Sequence, residues 1–212
     1  MADQVARLKV TLKGIRPPIW RRLEVPTGFT FQQLNDVIQA AFGWTNSHLH
    51  EFRMGRRRIG MPSDDDSPIS QVSALIRSIR ADLPPDILEA ISEPLPLEDE
   101  KTVTLAEALA NGQARLEYVY DFGDDWRHDV LVERLSDPEP GVVYPRCLTG
   151  RRSGPPEDCG GAWGYQAMLE VLADPAHERY DELRKWAPYF EPEEFDLSAT
   201  DEAVRNPPEF WE

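Results

Sequence analysis

Cysteine is scarce: Cys147 and Cys159 are the only two in 212 residues. That excludes the disulfide framework of a small secreted domain and leaves free thiols or metal ligands in a reducing compartment. Long apolar runs are missing as well, with no stretch near the ~20 apolar residues a membrane span requires. The opening MADQVARLKV has no apolar signal-peptide core and runs straight into a strand-like pattern. These absences lead to the expectation of a cytoplasmic protein with no membrane partner. Familiar catalytic signatures are lacking too: there is no Gly-x-Ser-x-Gly elbow and no phosphate-binding glycine loop. Asp121-Phe122-Gly123 spells a protein kinase's metal loop, yet no glycine-rich loop, strand lysine or His-Arg-Asp element accompanies it.

What is present argues for a folded chain. Six Trp, six Tyr and eight Phe supply large apolar side chains that disordered sequences lack, and the length allows one domain or at most two. The net charge of −15 is uneven, because residues 1–58 hold ten basic against four acidic side chains. So acidic a chain is a poor general nucleic-acid binder, although its first quarter leaves room for one basic face.

Alternation predicts strands over Val5–Leu12, Ile19–Val25, His48–Met54, Leu116–Phe122 and Trp126–Val132, the last two joined as a hairpin through Gly123-Asp124-Asp125. Thr30 is placed to cap a helix whose Phe31, Leu34, Val37, Ile38, Ala41 and Phe42 make one stripe, ended by Gly43. Further helices are expected at 72–79 and 87–91, after Thr104 (105–110), and at 163–173 and 176–187. The expectation is an α+β fold with a mainly antiparallel sheet of about five strands and helices packed on one side. It has a single domain over 1–197, a peripheral acidic insertion at about 62–100, and an acidic C-terminal tail at 198–212. Residues 136–161, with five prolines and five glycines, read as one long loop.

Three groups of residues can carry chemistry. His48 and His50, two apart on a strand, point to one side where both imidazoles can reach one ion. With Cys147 and Cys159 they would form a Cys₂His₂ set suited to zinc, set against histidines satisfied by local hydrogen bonds. Around the hairpin turn, Asp121, Asp124, Asp125 and His128 can bind a hard cation or supply an acid/base pair, set against ordinary turn chemistry. Glu157 and Asp158, just before Gly160-Gly161 and a helix, are either further catalytic candidates or acids that favour a helix N-terminus. For recognition of nucleic acid or protein the candidates are Arg21, Arg22, Trp44, Arg56, Arg57 and Arg58, since aromatics beside arginines stack bases.

Several strings occur together in order: Ile19-Trp20-Arg21-Arg22, then Gly43-Trp44 and His48-Leu49-His50-Glu51-Phe52; Tyr120-Asp121-Phe122-Gly123-Asp124-Asp125-Trp126 with His128; and Pro155-Pro156-Glu157-Asp158-Cys159-Gly160-Gly161 with Trp163-Gly164-Tyr165. Together they resemble the plasmid pRiA4b ORF-3 family, also labelled transposon-passenger TnpR-type proteins, over roughly residues 5–197. The resemblance implies an α+β fold, association with plasmids and mobile elements, and no established activity. The TnpR label implies a resolvase, but residues 1–60 offer only Ser47 as a nucleophile and no arginine set arranged around it. Relatives in this family often carry a cysteine directly before the Pro-Pro-Glu-Asp string, where this chain has Gly154, and a shorter connection than residues 72–100. Two readings follow from all this. One is a binding or adaptor protein of a mobile element, metal-stabilised or not. The other is a metal-dependent hydrolase or nuclease using His48, His50 and His128 with the hairpin aspartates.

Overall fold

A computed structural model of the chain describes residues 4–62 and 97–207. The helices expected at 72–79 and 87–91 lie outside the described residues. Among the described residues eight strands form one sheet: β1 (Val5–Leu12), β2 (Trp20–Pro26), β3 (His50–Met54), β4 (Arg57–Gly60), β5 (Leu97–Asp99), β6 (Arg115–Tyr120), β7 (Trp126–Ser136) and β8 (Arg146–Arg151). Their order across the sheet is β5-β4-β3-β6-β7-β1-β2-β8. Every neighbouring pair is antiparallel except β4 with β5. The helices among the described residues are α1 (Phe31–Phe42), α2 (Leu105–Leu109), α3 (Gly161–Ala173), α4 (Tyr180–Trp186) and α5 (Leu197–Arg205).

The α+β class and the largely antiparallel sheet agree with expectation; five strands was too few. Three strands escaped the pattern reading for physical reasons. β4 is four residues of which two are arginines, and β5 is three residues at the sheet edge. β8 lies inside the proline- and glycine-rich stretch read as a loop, and the Gly150 in it is flush with neighbours: a side chain there would meet the Phe195 ring at 2.6 Å. Residues 198–205 of the stretch read as an acidic tail belong to α5, capped by Asp196 accepting from the Ala199 N–H, with Val204 fully buried.

α1 begins at a capping box in which Thr30 and Gln33 each accept from the other's backbone N–H, and it stops at Gly43 in the left-handed conformation. All six residues of its predicted stripe are buried, each such large apolar side chain stabilising the fold by roughly 1.5–3 kcal/mol. Asn35 and Gln39 are buried too, because they meet the Tyr118 hydroxyl projecting from the sheet: Gln39 Nε2 donates to it at 2.7 Å, and it donates to Asn35 Oδ1 at 2.6 Å. Leu8, Val10 and Leu12 of β1, Leu23 and Val25 of β2, and Tyr118, Phe52 and Val130 line this helix-covered face.

The other face of the sheet is an ion-pair lattice. Glu24, 2% exposed, sits between Arg7 and Arg146, while Glu51, 3% exposed, is gripped by Arg53 and Arg58. Arg22 bonds Glu133 through both oxygens, and Lys13 meets Glu117. Six of the ten basic side chains in the first quarter, Arg7, Lys13, Arg22, Arg53, Arg57 and Arg58, are thereby paired with acids, several of them from later strands.

Candidate functional site

Three loops converge at one end of the sheet: residues 43–49 between α1 and β3, residues 121–125 between β6 and β7, and residues 155–160 between β8 and α3. Trp44, buried under the aromatic rings of Phe42, Tyr120 and Trp126, donates from Nε1 to the Pro155 carbonyl at 2.8 Å. The Glu157 carboxylate accepts from the Tyr120 hydroxyl and from Thr45 Oγ1. Ser47 N–H donates to the Tyr120 oxygen at 3.0 Å, and Asp124 Oδ2 accepts from Gly160 N–H at 3.1 Å. Partial burial and the Glu157 carboxylate hold the Tyr120 hydroxyl well above its ordinary pKa, so it stays a donor.

This junction also concentrates unusual backbone. Asn46, Asp121, Asp125 and Asp158 all have positive φ, between 54° and 57°, a conformation that Asn and Asp tolerate best among non-glycine residues. At Gly161 the φ is +66°, and an added Cβ would press directly into the Asp124 carbonyl oxygen. The Pro-Gly-rich loop and the aspartate hairpin therefore touch backbone to backbone.

At the centre, His48 Nε2 lies 3.0 Å from Asp158 Oδ1 and 3.8 Å from Asp121 Oδ2. One ligand atom from each of the three residues lies within 4.8 Å of the other two, the single group of this kind among the described residues. Donors bound to one tetrahedral zinc at ~2.1 Å stand about 3.4 Å apart, so this spacing fits a divalent cation with small side-chain adjustments. Asp158 is the most exposed of the three, at 72% for its side chain, and His48 is a third exposed, which leaves one side open to solvent or a ligand.

The other predicted metal ligands go elsewhere. β3 starts at His50, so His48 is not on its alternating register. The His50 imidazole turns under the helix-covered face and pairs through Nε2 with Glu100 at 2.6 Å, both side chains at most 3% exposed. Asp36 stands near this pair; burial raises its carboxyl to about 6, opposed by the Asn35 amide and by His50. Cys147 lies on the sheet beside Arg21 and Asp201, its thiol facing the Thr149 carbonyl, and burial pushes it up to about 11. Cys159 is near Asp124 and Asp158; burial, followed by the Asp124 charge, pushes its thiol up to about 12. The two cysteines have different neighbours, and both stay protonated at neutral pH. Neither thiol belongs to the His48 group.

Among the acid/base candidates, Asp121, Asp124, Glu157 and Asp158 all meet at the junction. Asp125 pairs outward with Arg127. His128 is fully buried in a box of Phe42, Trp44 and Tyr118, no well-formed hydrogen bond reaches either ring nitrogen, and burial, weakly opposed by the Tyr118 and Trp126 backbone, lowers its pKa to about 3. It is a neutral core side chain.

The recognition candidates divide in the same way. Arg21 is 3% exposed, donates to the carbonyls of Ala41, Trp20 and Arg151, and lies over the Phe42 and Phe195 rings; burial lowers its pKa to about 10. Arg22 pairs with Glu133, Arg57 with Glu98 and Arg58 with Glu51, while Trp44 is core. Arg56 is exposed in the β3–β4 turn. Glu100 and Tyr120 are the residues sequence reasoning missed. Tyr120 was visible as a strand aromatic and as the first residue of the Tyr120–Trp126 string, without a role of its own, and Glu100 sat at the end of an acidic run with nothing to mark it as buried.

The family model described as plasmid pRiA4b ORF-3-like protein matches residues 4–199. The uncharacterized protein y4hQ of Sinorhizobium fredii is 39% identical over 189 residues, which is 88% of this chain and 82% of that one. The crystal structure of a protein of unknown function, MM3350 from Methanosarcina mazei, superposes with a TM-score of 0.75 at 36% identity, covering 93% of this chain and 98% of that one. No helix among the described residues is long and apolar enough to cross a membrane.

Proposed function

The chain belongs to the plasmid pRiA4b ORF-3-like family, and from that membership and the loop junction we propose a divalent-cation-dependent binding protein serving a plasmid or other mobile element. The carrying observation is the His48–Asp121–Asp158 group, one ligand from each of three loops at distances one ion can bridge. A neutral imidazole and two carboxylates balance a divalent charge. With Asp124 and Glu157 beside them, the carboxylates repel one another until a cation is bound. The cation ties the loops together and leaves a coordination position open for a partner.

A protein partner is favoured over nucleic acid. Arg22, Arg57 and Arg58 face carboxylates across short distances, so these arginines have little charge left for phosphates. Near the junction, Leu49 and Phe122 are 44% and 52% exposed, an apolar rim of the kind protein interfaces use. The hydrolase reading has less support: His128 is sealed in the core and Glu157 is occupied by two hydroxyls.

The test is isothermal titration of chelator-treated protein with zinc chloride. Wild type and Cys147→Ser should bind one zinc per chain, and His48→Ala and Asp158→Asn should lose at least tenfold in affinity. Zinc binding that is absent, or indifferent to His48→Ala, overturns the proposal.

A further inference from the structure

The α3–α4 pair leaves a space that most helix pairs close. α4 has no buried residue of its own, and between the two helices lies a cavity of about 480 Å³. Its walls are Ala167, Met168 and Val171 from α3 and Leu183 and Trp186 from α4. Asp158 and Cys159 also line it, and Asp158 belongs as well to the cation group. Toward α4 it meets Arg179 and Glu182, which face each other at 3.4 Å. Apolar walls without filling atoms forgo the dispersion and burial energy that close packing supplies.

We infer that this cavity, on the premise of the cation site proposed above, binds a small amphipathic carboxylate: its anionic head on the cation at Asp158, its apolar body between α3 and α4. The charge pattern sets the head group. Asp121, Asp124 and Asp158 would repel an anion from a cation-free junction, so carboxylate binding is strictly cation-dependent. An open position on a cation held by three protein ligands accepts a carboxylate oxygen directly. The size of the space suits one small molecule, within the ~300–1,000 Å³ usual for ligand pockets.

The probe is 4-phenylbutyrate, titrated calorimetrically into zinc-loaded and zinc-free full-length protein, with 4-phenylbutylamine as the charge control. Binding is expected to the zinc form only, and not by the amine. Ala167→Phe places a ring in the cavity from an exposed helix position; it should leave zinc affinity within twofold and weaken the carboxylate at least tenfold. Leu183→Ser, which removes the opposite wall, should act in the same direction. Equal binding with and without zinc, binding of the amine, or an unchanged carboxylate affinity in both variants overturns the inference. A failure of the cation site itself appears earlier, as absent zinc heat before any carboxylate is added, and is thereby distinguished from a failure of the cavity.

Discussion

Replacing His128 by phenylalanine should stabilise the protein, and increasingly so as the pH falls. His128 is fully buried and no well-formed hydrogen bond reaches either ring nitrogen, the Tyr118 and Trp126 backbone giving only weak compensation; an unsatisfied buried polar group costs about 1–3 kcal/mol. Its ring centroid lies 4.8 Å from Phe42 and 5.3 Å from both Trp44 and Tyr118, contacts a phenyl ring can keep. Setting the relieved cost against some overpacking gives a net gain of ~1–2 kcal/mol at pH 7.5. The pH dependence follows from the low folded pKa of about 3. Between the unfolded value near ~6.5 and that folded value, only the unfolded state takes up the proton, so wild type loses about 1.4 kcal/mol per pH unit through this group. The gap between variant and wild type should therefore widen by ~2 kcal/mol from pH 6.5 to pH 5. Asp36 and the other titrating groups act alike in both proteins and cancel in the difference. Urea unfolding at pH 7.5, 6.5, 5.7 and 5 measures it. A destabilised variant whose gap to wild type stays constant with pH would refute the reasoning.

Three further outcomes follow. Gly161→Ala sets a Cβ against the Asp124 carbonyl at a left-handed position; it should cost at least ~1–2 kcal/mol in urea unfolding and weaken zinc binding, because the hairpin carrying Asp121 must move. Tyr120→Phe removes the donor to Glu157 and the acceptor for Ser47, with an expected loss of ~1–3 kcal/mol and higher hydrogen exchange at Ser47. Asp36→Asn should stabilise more at pH 8 than at pH 5. The folded carboxyl titrates near 6, above its unfolded value, so wild type loses stability as the pH rises from the unfolded value to the folded one and carries the full penalty of its buried charge only above about 6. After screening of this partly exposed group the difference should be about 1 kcal/mol.

Much of this architecture was legible because local patterns and tertiary burial agree. The stripe of α1, its Thr30 and Gly43 boundaries, and the hairpin of β6 and β7 follow from periodicity and turn chemistry. Two-residue alternation failed where burial is set by distant parts of the chain. Cys147 and Gly150 form a strand because α5 and Phe195 cover them, a long-range event with no local signature. The basic quarter looked like a binding face because sequence distance hides its partners: Arg22 meets Glu133, and Arg7 shares Glu24 with Arg146.

The candidate site was half visible. The histidine, hairpin and Pro-Gly segments were each conspicuous, and all three meet. Which imidazole would face the junction depended on where β3 begins. Because pairing with Tyr120 starts at His50, His50 turns inward to Glu100 and His48 is left in the loop, facing Asp121 and Asp158. The two cysteines drew attention by their rarity, yet each sits in a partly apolar setting that favours the protonated thiol.

Zinc-edge X-ray absorption on the protein loaded with one equivalent of zinc tests the central claim most directly. Nitrogen and oxygen donors alone at ~2.0–2.2 Å, with one imidazole scattering pattern that vanishes in His48→Ala, are the predicted result. A sulfur shell at ~2.3 Å, or an imidazole signal that survives in His48→Ala, would contradict it.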